Sequence, residues 1–144
     1  MILQLHSYWA ILTLAILLFG VINFTAAYLK KRDYKTQDLR ISLFVLIFAH
    51  IQLLIGLAYY FTSPAYKHLK EIGMSAGMKD AHLRMLTIEH PITMILAIVL
   101  ITIGFSRHKK KKTSQKTFQT LAIYYGLALI LILSRIPWGQ WFEA

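Results

Sequence analysis

"ISLFVLIFAHIQLLIGLAYYF" occupies residues 41–61. It holds no Asp, Glu, Lys or Arg over a length that, coiled as an α-helix, crosses the roughly 30 Å hydrocarbon core of a bilayer. The chain around it repeats the pattern. Residues 8–29, about Leu86 to Phe105, and about Thr117 to Ile136 are of similar length and mostly apolar, the last two carrying Glu89 and Arg135. None alternates with the two-residue period of a half-buried strand, and helical periodicity is blurred, as expected of helices that are apolar all round. The fold class expected is an all-α integral membrane protein. It is a four-transmembrane-helix bundle, one domain over residues 1–144 with a longer connector at 62–85. Residues 8–29 lack a basic n-region and exceed the length of an h-region, so they read as a retained helix and not a cleaved signal.

Composition agrees. Hydrophobic residues make up 57% of the 144 and charged residues only 15%, where a soluble domain carries about 25% charge. There is no cysteine, which excludes disulfides, iron–sulfur clusters, thiol nucleophiles and covalently attached c-type haem. The net charge of +10 invites a nucleic-acid reading, but position argues against it. The cations lie in short connectors, without a basic face interleaved with aromatics.

Those connectors set an orientation. The first (30–40) carries five Lys and Arg and the third (107–116) carries six, so the two hold eleven of the sixteen. The positive-inside rule places both in the cytoplasm and both termini outside, in the periplasm. Tyr8, Trp9, Tyr59, Tyr60, Trp138 and Trp141 fall near the outer boundary, where an aromatic belt belongs. The lysine run 109–112 reads as a stop-transfer cluster that also favours anionic lipid. The connector 62–85 reads as a short interfacial helix or lid.

Polar residues inside spans are costly and mark function or packing. At about 1.5 Å per residue, His6, His90, Arg84, Glu89 and Arg135 gather near one depth at the outer end. His50 lies deeper, near the middle of its helix, and His108 sits in the lysine connector and reads as solvated. Two facing histidines can supply the two axial ligands of a b-type haem, with cations at the water boundary for its propionates. His6 and His90 are the leading axial pair, with Arg135 and Arg84 as propionate partners. His50 stays open as the alternative partner of His90 or as a proton relay, and Gln52 as a hydrogen-bond partner for His50. The plainer readings are an interfacial histidine at His6 and a structural ion pair between Glu89 and Arg135. Ser7, Thr87 and Glu89 are candidate acceptors to fix an imidazole tautomer. Ala10, Ala122 and Gly126 are candidates for widening a slot. Ser42, Ala49 and Gly56, seven residues apart, read first as a helix-packing stripe. Pro91 removes a backbone donor, so a helix running from about residue 79 is expected to kink there and free the carbonyl of Thr87.

"LHSYWAIL" (5–12), "LRISLFVLIFAHIQLLIGL" (39–57), "EHPITMILAIVLITIG" (89–104) and "SRIPWGQWF" (134–142) resemble a family of small four-helix bacterial membrane proteins labelled cytochrome b or cytochrome b-like. The resemblance covers nearly the whole chain and implies a haem-associated protein of the bacterial inner membrane. A fainter similarity is to one four-helix half of haem A synthase. There the departures are that Glu89 and His90 are adjacent, that no arginine follows His90, and that helix order differs, so synthase activity is not carried over.

Three functions follow as expectations. The first is a haem b-binding protein for electron transfer or haem handling. The second is a non-catalytic subunit or assembly factor of a larger membrane complex. The third is a small transporter or proton-relay protein using His50, Glu89 and Arg135. Partners expected are the lipid bilayer, other membrane or respiratory subunits, or a second copy in a homo-oligomer. Phosphate-loop, H-E-x-x-H and G-x-S-x-G motifs are absent from the sequence.

Overall fold

A computed structural model describes residues 1–142 of the chain. The helices are α1 (Ile2–Leu29), α2 (Thr36–Thr62), α3 (Pro64–Ile72), α4 (Met74–Lys79), α5 (Ala81–Arg84), α6 (His90–His108), α7 (Ser114–Ser134) and α8 (Trp138–Phe142). A single π turn, Met85–Glu89, joins α5 to α6, so residues 81–108 form one continuous helical span. Four helices are long and apolar enough to cross a membrane: α1, α2, the joined α5–α6 and α7. Each begins a few residues earlier than the apolar run that announces it. The first turns are polar in α2 and α7, so apolarity alone starts those helices too late.

The four spans run antiparallel in a ring. α1 packs between α2 and α7, and α6 closes the ring between the same two, touching α2 least. The core is one cluster along the shared axis, with Leu17 and Phe24 from α1, Val45 and Ala49 from α2, Ala97 and Ile101 from α6, and Phe118, Leu121 and Tyr125 from α7. The Tyr125 hydroxyl donates to the Ser42 carbonyl at 2.8 Å, fastening α7 to α2 inside it. Ser42 and Ala49 are both buried, as the seven-residue stripe requires. α6 and α7 approach closely at Gly104, where an added Cβ would stand 2.5 Å from Tyr124 Cβ. Gly126 faces open space, so it widens no slot.

One end of the bundle carries residues 30–35 and 109–113, here called the lysine end. Asp38, 2% exposed, closes it. Its carboxylate accepts from both Arg32 guanidinium nitrogens at 2.7 and 3.0 Å, from Asn23 at 3.0 Å and from the Lys35 amide at 2.9 Å. A buried carboxylate is tolerated only when saturated in this way. His108, which reads as solvated in its lysine context, is instead 1% exposed. It is the last residue of α6 and turns inward, where Nδ1 donates to the Phe105 carbonyl and Nε2 accepts from the Tyr34 hydroxyl at 2.9 Å. The Tyr34 amide donates to Ser114 Oγ at 2.8 Å. These contacts tie the two basic connectors into one surface. Burial first, and the Asp38 carboxylate second, push the Tyr34 phenol up to about 12.

Two outcomes follow. Gly104→Ala is expected to destabilise the bundle by about 1–3 kcal/mol through overpacking, lowering the unfolding temperature in detergent, whereas Gly126→Ala is neutral or stabilising by up to about 1 kcal/mol. The Tyr34 proton is held more tightly in the folded state. Its contribution to stability is therefore fully present below about pH 10, the ordinary phenol value, and is lost as pH rises from there through about 12. Tyrosinate absorbance compared between the native chain and Tyr34→Phe checks this, and a Tyr34 titration at the ordinary value contradicts it.

Candidate functional site

The opposite end of the bundle holds residue 1, the α2–α3 junction, the π turn and the end of α7. Its geometry starts at Pro91. Proline has no N–H for the carbonyl four residues earlier, here Thr87. In a span, every backbone polar group must find a partner within the protein. The Tyr60 hydroxyl of α2 supplies it, donating to the Thr87 carbonyl at 2.9 Å. The helix widens over the same turn, and the His90 amide bonds the Met85 carbonyl five residues back. The expected kink is thus a π turn, a feature that often falls at functional sites. The Thr87 hydroxyl donates to the Leu83 carbonyl at 2.6 Å, and the His6 and His90 rings take their hydrogen bonds from other partners.

The π turn decides who meets whom. Arg84 and Glu89, five residues apart, pair across it at 3.3 Å, and a second Arg84 nitrogen donates to the Met78 carbonyl at 2.6 Å. The ion pair expected between Glu89 and Arg135 does not form, because Arg84 takes the carboxylate. Among the described residues the Arg135 guanidinium reaches only the Ser134 carbonyl, at 2.9 Å.

His90 points across to α7, and its Nδ1 donates to the Arg135 carbonyl at 2.7 Å. That carbonyl follows the last turn of α7, where helix carbonyls lack intrahelical donors. The bond assigns the Nδ1–H tautomer to a neutral His90 and leaves the Nε2 lone pair free.

His6 comes from the first turns of α1. Its ring centroid lies 6.3 Å from that of His90, with the planes at 88°. Three residues of α2 hold it. The Gln52 amide nitrogen donates to His6 Nδ1 at 2.9 Å and to the His6 carbonyl at 3.0 Å. Tyr59 lies nearly parallel to the ring at 5.9 Å. At Gly56 a Cβ would stand 3.2 Å from His6 Cε1, so the glycine makes room for the imidazole. An amide NH₂ only donates, so His6 Nδ1 accepts, and the neutral ring carries its proton on Nε2. Gln52 Oε1 is buried without a hydrogen-bond partner, alone in this among the buried side-chain atoms of the described residues.

His50 does not join the site. It faces outward from α2, exposed, with Nδ1 donating to the Leu46 carbonyl at 2.7 Å. It lines a separate groove with Leu46, Ile47, Ile51, Leu54 and Thr102. Gln52, expected as a partner for His50, serves His6 instead. Another cavity, of about 300 Å³, lies between α1 and the C-terminal residues against Ser7, Tyr8, Ile11, Gln140 and Trp141. His6 and His90 line neither. The assembled site is therefore His6, His90, Gln52, Gly56, Tyr59 and the Arg135 backbone, with Arg84 and Glu89 paired to each other on the adjoining π turn.

Among the described residues, no three His, Asp or Glu side chains converge in a way that could hold a bare metal ion. Comparison with family models, with curated proteins and with solved structures returns no match.

Nitrogen-15 NMR of histidine-labelled protein, without added ligand, is expected to show His90 protonated at Nδ1 and His6 at Nε2. Gln52→Leu should remove the preference at His6 and leave His90 unchanged. An unaltered His6 signal would show that Gln52 does not set its tautomer.

Proposed function

We propose that the chain is a b-type-cytochrome-like protein of the bacterial inner membrane, holding haem b between His6 and His90 for electron transfer or haem handling. The observation that carries this reading is the pairing of those two imidazoles from different spans at one end of the bundle. A metal–imidazole bond is about 2.0–2.1 Å. With the rings 6.3 Å apart, His6 and His90 would be the residues to hold one metal between them. A bare ion needs three or four protein ligands. Two imidazoles alone suit a metal that already has four in-plane donors, as a porphyrin provides.

The chain's own residues fit that role unequally. His90 already has the ligand tautomer, with Nδ1–H given to a carbonyl and Nε2 free. His6 carries its proton on the wrong nitrogen for an Nε2 bond. Rotation of the Gln52 amide would present Oε1 to an Nδ1–H and give that unpartnered oxygen a hydrogen bond, in exchange for the amide's bond to the His6 carbonyl. Arg135 has no carboxylate partner among the described residues and is the better placed of the two arginines for a propionate. Arg84 is already engaged by Glu89. Haem held by both imidazoles would supply one-electron transfer. In this reading the ends of the spans that hold the site and both termini face the periplasm, and the lysine end faces the cytoplasm. The resemblance to small cytochrome b-like membrane proteins supports the same assignment.

Protein produced with haem supply is expected to show a Soret band that shifts on reduction and does not respond to carbon monoxide. His6→Ala and His90→Ala should each lose it, while His50→Ala keeps it. A well-folded colourless preparation, or a band that survives loss of both His6 and His90, overturns the reading.

A further inference from the structure

His50 lies about 20 Å from either end of α2 at 1.5 Å per residue, and its ring is exposed on the outer surface of the bundle. An imidazole at that depth is costly unless something meets it. Its Nδ1 donates to the Leu46 carbonyl at 2.7 Å. The neutral ring therefore presents Nε2 as a bare acceptor, without a partner among the described residues. The groove beside it is shallow and open to the surroundings of the bundle, with a volume of about 370 Å³. Its walls are Leu46, Ile47, Ile51 and Leu54 of α2 and Thr102 of α6, along the seam where the ring of spans packs most loosely. The Thr102 hydroxyl gives its proton to the Ile98 carbonyl at 2.8 Å. It too can only accept. The groove thus combines aliphatic walls with two acceptors and no donor.

That chemistry selects an occupant. A second copy related by a two-fold axis would set the same surface against itself, acceptor to acceptor at His50. An anionic headgroup would find no cation. A molecule that matches is apolar and carries its own hydroxyl. A phenol is a stronger donor than an aliphatic alcohol, because its proton is the more acidic, and its flat ring suits a shallow groove. We propose that the His50 groove binds a lipid-soluble phenol from the bilayer, its hydroxyl donating to His50 Nε2. This site is independent of the His6–His90 site and stands or falls apart from it.

The test uses the full chain, labelled with nitrogen-15 histidine, in phosphatidylcholine nanodiscs. The probe is 4-nonylphenol, compared with its methyl ether 4-nonylanisole and with 1-nonanol. Expected is a saturable shift of the His50 Nε2 signal with the phenol. Its affinity should exceed that of the ether about tenfold, the scale of one hydrogen bond. His50→Leu should abolish the difference while leaving the His6 and His90 signals in place, which shows that the bundle still folds. Equal binding of the ether or of nonanol, or no movement at His50, overturns the proposal. So does efficient disulfide formation between copies carrying Ile47→Cys in the absence of probe, because a second copy would then cover the groove.

Discussion

The missing N–H of Pro91 is the constraint from which the candidate site grows. In hydrocarbon an unpaired carbonyl costs several kcal/mol, so the third span cannot leave Thr87 unmet. Two adjustments share the problem. Tyr60 reaches across from α2 to the Thr87 carbonyl, and the helix widens into a π turn that lets the His90 amide find Met85. The first fixes α2 against this turn. The second resets the direction in which residue 90 leaves the helix, and it brings Arg84 and Glu89 onto one face. His90 then meets both the free carbonyl after α7 and the His6 ring of α1. Residues of all four spans therefore meet around the turn that adapts to the absent backbone donor.

The two ends of the bundle solve polar burial differently. At the lysine end the accounts close. Asp38 is saturated by Arg32, Asn23 and the Lys35 amide, and both His108 nitrogens have partners. Saturated networks of that kind hold elements in place. At the other end, Gln52 Oε1 is buried without a partner, and His90 keeps a free ring nitrogen. A native fold leaves few such groups, and each calls for an explanation. The two ends thus differ in how completely their buried polar groups are paired.

The spans were legible because each combines membrane length with nearly uninterrupted apolarity, and membrane depth alone brought His6 and His90 to one level. What depth could not supply was rotation about each helix axis. At 3.6 residues per turn, Gln52 lies about 200° round from His50, and Gln52 and Gly56, four apart, share a face. That spacing was a usable signal, and it assigns Gln52 to the interior and His50 to the outside. Glu89 and Arg135 stand at similar depth, yet Glu89 meets Arg84, because a π turn aligns residues that an α-helix would splay. Only Pro91 hints at that turn. His108 was obscured by its neighbours. Four lysines follow it, but it ends the helix and faces Tyr34, which no local composition reveals. Asp38 escaped notice for the same reason, its partners lying on α1 and in the first connector.

The outward face of His50 also bears on the choice between ligand pairs. The sequence keeps His50 open beside His6 as a partner for His90. Rotation does not. An imidazole anchored to the Leu46 carbonyl on the outer surface of α2 would need its helix turned by roughly half a revolution to reach the bundle interior. That turn would drag Ser42 and Ala49 out of the core and break the Tyr125 bond to the Ser42 carbonyl. It would also remove Gly56 from beside His6 and Gln52 from its Nδ1. The packing that fixes α2 therefore fixes the roles of its polar residues together. In the proposed reading His6 and His90 act as a pair, and the Gln52 amide sets which His6 nitrogen is free to bind.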